Sequence, residues 1–297
     1  MTTVSFPSAR MPELEDLGRL DGRPRWSYVT GRLLRMPIFL CGAAILGFWI
    51  ITALTSQWWV PYSPFATSPL HSFAGPSGAH WLGTDQLGRD VLSRTLAGAS
   101  SVLTIAPVAT FLAVLGGTTL GLMAGYYGGI FEDVLMRGVD AFLAFPGIII
   151  AVFVLGLVGP SQLVITVLIA VFYTPIIART VRSAVLGARE SGYVEAARLR
   201  SERGPYIMVV ELLPNVQGPI LVEGTLRLGY AVFTAATLSF LGLGLQPPSA
   251  DWGLAVATSR GFIESAPLTV LAPAIALASL VVSVNLVADG LRKAFQA

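Results

Sequence analysis

The sequence predicts an all-α membrane protein with six transmembrane helices, and three observations carry that prediction. Of the 297 residues, 54% are hydrophobic and 12% charged, about half the charge of a typical water-soluble domain. The apolar residues are gathered into blocks of about 18 or more, the length of helix that crosses a hydrocarbon core about 30 Å thick. The blocks lack the period-2 alternation of a membrane barrel, whereas Gly116, Gly117, Gly121 and Gly125 suit helices that pack at close range.

Residues 1–35 mix Arg10, Arg19, Arg23, Arg25, Arg32 and Arg35 with four acids and have no early apolar core, so they do not read as a cleaved signal peptide. The first apolar block, 37–55, contains Cys41, the single cysteine, which leaves no partner for an intrachain disulfide. A long connection follows, broken by Pro61, Pro64, Pro69 and Pro76. The remaining blocks are 102–126, 134–158, 163–184, 218–243 and 267–288, each read as one spanning helix. A second substantial connection covers 244–266 and contains the turn Gln246-Pro247-Pro248. The chain thus divides into an N-terminal segment 1–35, a first helix with its connection 36–101, and a main transmembrane domain 102–297.

Basic residues give the orientation, because cytoplasmic connections carry the excess of arginine and lysine. Six arginines precede the first block, Arg137 lies near the second connection on that side, Arg179, Arg182, Arg189, Arg198, Arg200 and Arg203 flank the longest one, and Arg292 and Lys293 follow the last block. The other side holds Arg89, Arg94 and Arg260. Both termini are therefore expected in the cytoplasm, with 56–101 and 244–266 outside. Net charge is only +2, so nothing argues for a nucleic-acid partner.

The connection GARESGYVEAARLRSERGPYIMVVELLPN (187–215) is more structured than a tether needs to be. Glu195 to Arg200 are good helix formers, and Gly204-Pro205 is a strong interruption that sets the expected bend. A second short helix is expected after it, with Tyr206, Ile207, Val209, Val210 and Leu213 on one apolar stripe and Pro214 ending it before the next span. Two short helices at a bend make a rigid knob that docks into another protein; the competing reading is an amphipathic segment resting on the bilayer with its arginines at anionic headgroups.

This segment resembles the coupling loop of bacterial ABC importer permeases, whose pattern is Glu-Ala-Ala, then a glycine, then Leu-Pro at fixed distances. Glu195, Ala196, Ala197, Leu213 and Pro214 match without a gap, while Ser201 stands at the family's glycine and Gly204 follows three residues later. The resemblance covers nearly all of the membrane portion. GTDQLGRDVLSR (83–94), AGYYGGIFEDVLMRGVDAFLAFP (124–146), SFLGLGLQPPSADWG (239–253) and NLVADGLRKAF (285–295) look like the dipeptide, oligopeptide and nickel branch, in its C-type subunit. At Gly98, Ala99 and Ser100 the chain departs from a Gly-Ala-Arg pattern common in the branch.

The resemblance implies a type I ABC importer permease fold in the plasma (inner) membrane. It also implies a homologous second permease, two ATPase subunits or domains that bind ATP and Mg, an outer substrate-binding protein, and a peptide cargo. Nickel, glutathione or another small solute are alternative cargoes, and a membrane scaffold without transport is a further one. Within the resemblance, Glu195, Ala196, Ala197, Arg198, Ser201, Gly204, Leu213 and Pro214 form the ATPase-coupling loop. The chain carries no phosphate-cradling glycine-rich loop with its lysine, Lys293 being the only lysine, so hydrolysis falls to the partner and the chain is no enzyme. An intramembrane hydrolase would need its nucleophile and base on facing helices, yet His71 and His80 lie outside the blocks.

Three further groups stand out. Asp85 and Arg89, and Asp90 and Arg94, are spaced by four and would be paired neighbours on a helix; their alternative role is an outer-face contact with a delivering protein. Glu223 and Arg227 share that spacing inside the fifth block, and Asp140 lies in the third. Charges in a span are expensive, so these three are candidates for a path or gate, with local pairing as the alternative. His71 and His80 have no partner nearby in sequence and read as solvated loop residues, with no metal site.

Overall fold

The computed structural model describes residues 26–295, with side chains described for 30–294. The element order is α1 (Trp26–Leu33), α2 (Pro37–Trp59), α3 (Val91–Tyr127), α4 (Gly129–Leu143), α5 (Gly147–Val158), α6 (Gln162–Ala188), α7 (Gly192–Leu199), α8 (Gly204–Tyr206), α9 (Leu213–Phe240), α10 (Trp252–Ser259) and α11 (Leu268–Phe295). Among the described residues, five helices are long and apolar enough to cross a membrane, and α4 with α5 makes a sixth if that bent pair counts as one span. Each end of the bundle has its own apolar core. At the end that carries the connections 60–90 and 241–267, called the cap end, Trp49, Ile105, Leu155, Ile169, Trp252 and Leu280 come together. At the opposite, knob end, Leu122, Val181, Val185, Val194, Ile207 and Leu212 do so.

The closest seam joins α3 to α6. Cβ atoms added at Gly117, Gly121 and Gly125 would stand 2.6 to 2.7 Å from Ile177, Val181 and Val185 respectively. Small residues every fourth position therefore make a groove that receives three branched side chains, and van der Waals contact replaces the hydrophobic drive that is missing between helices in lipid. Arg189 closes the end of this seam by donating to the Gly125 carbonyl at 3.0 Å.

Three expectations change. The block 134–158 is not one straight span but α4 and α5, bent by 78° across a short break. Pro146 explains this: it has no N–H to donate and disfavours helical backbone at Phe145. α5, with 12 residues, reaches only about 18 Å and cannot cross alone. Next, Pro214 does not end a helix. The chain passes from α8 through a π-helical turn at Ile207–Leu212 into α9, giving one rod, Gly204–Phe240, of 37 residues. The Leu213 N–H reaches back five residues to the Met208 carbonyl, and this wider turn takes in Pro214 where a regular turn would break. Lastly, α3 starts at Val91, because Asp90 caps it by accepting from the Ser93 N–H at 2.7 Å. A domain boundary between 101 and 102 would therefore fall inside a helix. The N-terminal segment 1–35 lies mostly outside the described residues.

Candidate functional site

At the knob end, α7 lies against the start of the long rod. Val194 and Ala197 are fully buried between the α6 residues Val181 and Val185 and the rod residues Ile207, Met208 and Leu212. The helix turns Glu195, Ala196, Arg198 and Leu199 outward, and Leu199 is 81% exposed. The Glu195 side chain has no hydrogen-bond or ion-pair partner among the described residues. Arg198 lies over the Tyr126 ring, 5.7 Å from its centroid. The expected coupling segment is thus divided: Ala197 holds the knob to the bundle, and Glu195, Ala196 and Leu199 form its free surface.

The bend sits at Ser201, not at Gly204. Ser201 has φ 58°; its N–H donates to the Arg198 carbonyl at 2.9 Å and the Glu202 N–H donates to the Ala197 carbonyl at 3.2 Å. These two bonds and the left-handed residue make a Schellman cap, in which glycine is the usual occupant. Gly204 begins the rod, where an added Cβ would meet the Tyr126 ring at 3.0 Å. Leu213 and Pro214 stand at the exit of the π turn.

Within the spans, Arg227 Nε donates to Glu223 Oε1 at 2.6 Å. The guanidinium also lies 5.1 Å from the Tyr230 ring centroid and 5.8 Å from that of Tyr173 on α6. The Tyr173 and Thr234 hydroxyls are hydrogen-bonded at 2.7 Å. Asp140 does not join this group; it is exposed on α4, 3.6 Å from Arg179 of α6. Arg182 pairs with Glu132 of α4, so two ion pairs tie α4 to α6. Sequence reasoning missed Tyr173, Tyr230 and Thr234. The signal was present in part, since Glu223, Arg227, Tyr230 and Thr234 recur at helical spacing on one face of an otherwise apolar block.

At the cap end, Asp85, Arg89, Asp90 and Arg94 are 3 to 8% exposed, so their charges are used inside the chain instead of being offered to a partner. Asp85 and Arg89 do pair, at 2.7 Å, but in a turn through Gly88, φ 69°, with Asp85 Oδ1 accepting from the Leu87 and Arg89 N–H groups. Asp90 and Arg94 do not pair. Asp90 caps α3 and meets His80 Nδ1 at 2.9 Å, so His80, stacked on the Tyr62 ring at 4.7 Å, is not a free loop histidine. Arg94 donates to the carbonyls of Pro64 and Ser249, both at 2.8 Å, and lies 3.6 Å from Asp85. Asp251 caps α10 by accepting from the Leu254 N–H at 2.9 Å. Burial pushes its carboxyl above the ordinary range, against hydrogen bonds from Leu254, Ser239 and Gly253.

Residues 117–297 match the family model described as binding-protein-dependent transport system inner membrane component. The chain is 38% identical to the dipeptide transport system permease protein DppC of Alkalihalophilus pseudofirmus, over 91% of this chain and 88% of that one. It is 36% identical to the glutathione transport system permease protein GsiD of Pectobacterium atrosepticum, covering 92% and 91%. It is 37% identical to a putative peptide transport system permease protein of Brucella suis, covering 98% and 96%. A solved structure of the MetNI methionine ABC transporter in inward-facing conformations matches in fold, with TM-score 0.56 and 22% identity over 69% of this chain and 96% of that one. The chain therefore belongs to the family of inner membrane components of binding-protein-dependent transport systems, the permeases of ABC importers.

Proposed function

We propose that this chain is one permease subunit of an ATP-driven importer of dipeptides or oligopeptides, forming half of a translocation path whose other half is a homologous second permease. The observation that carries this reading is the α7 knob. Its buried side keys it to the rod that becomes α9, and its free side, Glu195, Ala196 and Leu199, has no role within the chain. Two cytoplasmic ATPase subunits take the knobs of the two permeases, bind ATP and Mg, and draw the knobs together when they close. The rods then rock the bundles between inward-open and outward-open arrangements. A substrate-binding protein delivers cargo to the cap end, which faces outward, with both termini in the cytoplasm as the arginine distribution argues.

A peptide zwitterion does not dissolve in hydrocarbon and needs polar groups along its way, which is the role of Glu223 and Arg227, with Asp140 in the last turn of α4, beside the bend into α5. The cargo class is supported by the relatives named for dipeptides and peptides; the relative named for glutathione, itself a small peptide derivative, favours a second reading with that cargo. The test is reconstitution of the complete importer in vesicles. ATP-dependent accumulation of di- to pentapeptides supports the first reading, uptake of glutathione alone supports the second, and uptake of neither sinks both.

A further inference from the structure

Glu223, Arg227, Tyr230 and Thr234 follow one another at helical spacing along α9, and the face they form is only partly closed by this chain. Arg227 and Glu223 side chains are 18% and 13% exposed, whereas Tyr230 is 53% and Phe233 59% exposed. Hydrocarbon is a poor neighbour for such a row, because polar and charged groups in a span face a bundle interior or a water-filled path. Next to the row, Tyr173 and Thr234 also line an open groove of about 380 Å³, whose other wall includes Phe142, Phe145 and Ile148 of the bent pair. The groove and the ion pair thus share Tyr173, and through it Thr234.

The chemistry of the row limits what can use it. An isolated arginine would hold anions and an isolated carboxylate cations. Here the two charges cancel at 2.6 Å, and the flat guanidinium lies between two tyrosine rings that hold it by cation–π attraction. A ligand that replaces this pairing without leaving a charge unpaired must bring one charge of each sign, at a separation that reaches both. We infer that Glu223 and Arg227 form a transfer site for zwitterionic peptides, Glu223 taking the α-ammonium and Arg227 the α-carboxylate, with Tyr173 and Tyr230 as walls that keep the guanidinium in place while its partner changes. This rests on the importer reading above and adds to it the feature of the cargo that the path itself reads: two free, opposite termini.

The test uses the complete reconstituted importer, a dipeptide with free termini, and its N-acetylated and C-amidated analogues. The affinity of the substrate-binding protein for each is measured separately, and uptake is read with that protein saturated, so that delivery is not limiting. Arg227→Gln should lower uptake of the free dipeptide about tenfold, the loss of one charge-assisted hydrogen bond, and change the amidated analogue by less than about twofold. Glu223→Gln should show the same contrast with the acetylated analogue. A pair that serves only to hold α9 together would slow all three compounds by a common factor, and that result overturns the inference while leaving the importer reading intact. If the unsubstituted importer moves none of the three with ATP, both fall. Retained nucleotide hydrolysis and an unchanged elution profile show that the variants are assembled.

Discussion

The Arg94 guanidinium and the Ser249 carbonyl lie 2.8 Å apart, 155 positions apart in sequence. With its second branch on the Pro64 carbonyl, this arginine at the start of α3 fastens both cap-end connections to the bundle. Arg94→Met should therefore loosen 60–90 and 241–267 together, at a cost of about 3 kcal/mol from the lost charged hydrogen bonds. Protease cleavage rates in both connections check this; a rise in only one would show that they are fastened independently.

Asp251 makes the cap end respond to acid in an unusual sense. Its folded carboxyl is raised by burial, so over a window above the ordinary carboxylate pKa of about 4 the folded chain keeps a proton that the unfolded chain has released. The stability it contributes is complete below that value and is lost as pH rises through the folded one. Asp251→Asn retains the acceptor for the Leu254 N–H and cannot ionise. The melting temperature of the unsubstituted protein minus that of the variant should fall as pH rises above about 4; a flat or rising difference contradicts the assignment.

Ser201 adopts a conformation that glycine accepts without strain. Ser201→Gly should stabilise the knob by about 1 kcal/mol, and Ser201→Val should destabilise it by at least that much. Hydrogen exchange of the α7 amides separates the two variants.

Neighbouring alanines of the knob should behave oppositely. Ala196→Trp, on the free face, is expected to leave the chain folded and ATP hydrolysis running while uptake drops about tenfold, because docking strength is altered by at least one such step. Ala197→Trp, in the core, should instead overpack α7 against the rod at about 1–3 kcal/mol and reduce the yield of folded protein. Equal effects at both positions would mean that the two faces of α7 are wrongly assigned.

Gly121→Leu should separate α3 from α6, since even a Cβ there would stand 2.6 Å from Val181. A cost of about 1–3 kcal/mol is expected as a lower melting temperature in detergent, with a smaller change for Gly116→Ala, where Thr174 stands 3.3 Å away.

The helical class was legible because lipid demands long apolar blocks and admits few backbone forms, and two of the six blocks, 37–55 and 163–184, match α2 and α6 to within four residues at each end. The two proline outcomes could not be told apart by inspection: Pro146 breaks its block, whereas Pro214 is carried through by a π turn that depends on packing beneath Ile207 and Leu212. Spacing also misled at the cap end. Four-residue intervals suggested helical pairs, but a turn at Gly88 brings Asp85 back to Arg89 and leaves Asp90 to His80, ten positions away. At the knob, the pattern located the segment, but which alanine points inward was set by the tertiary core. Ser201 shows the limit of reading by composition, since the left-handed position is fixed by the cap's hydrogen bonds even where glycine is missing.

Under the importer reading, the rod that starts at Gly204 and ends at Phe240 is the lever that joins the knob to the membrane interior. At 1.5 Å per residue it is about 55 Å long, so a tilt of about 10° around its midpoint carries each end about 5 Å, in opposite directions. The π turn lies near one end of that lever, close to where force enters, and any slack it introduces is lost before the Glu223–Arg227 pair instead of beyond it. Glu223 stands one residue from that midpoint and hardly moves, whereas Thr234, at the far end of the polar row, swings about 3 Å against the knob.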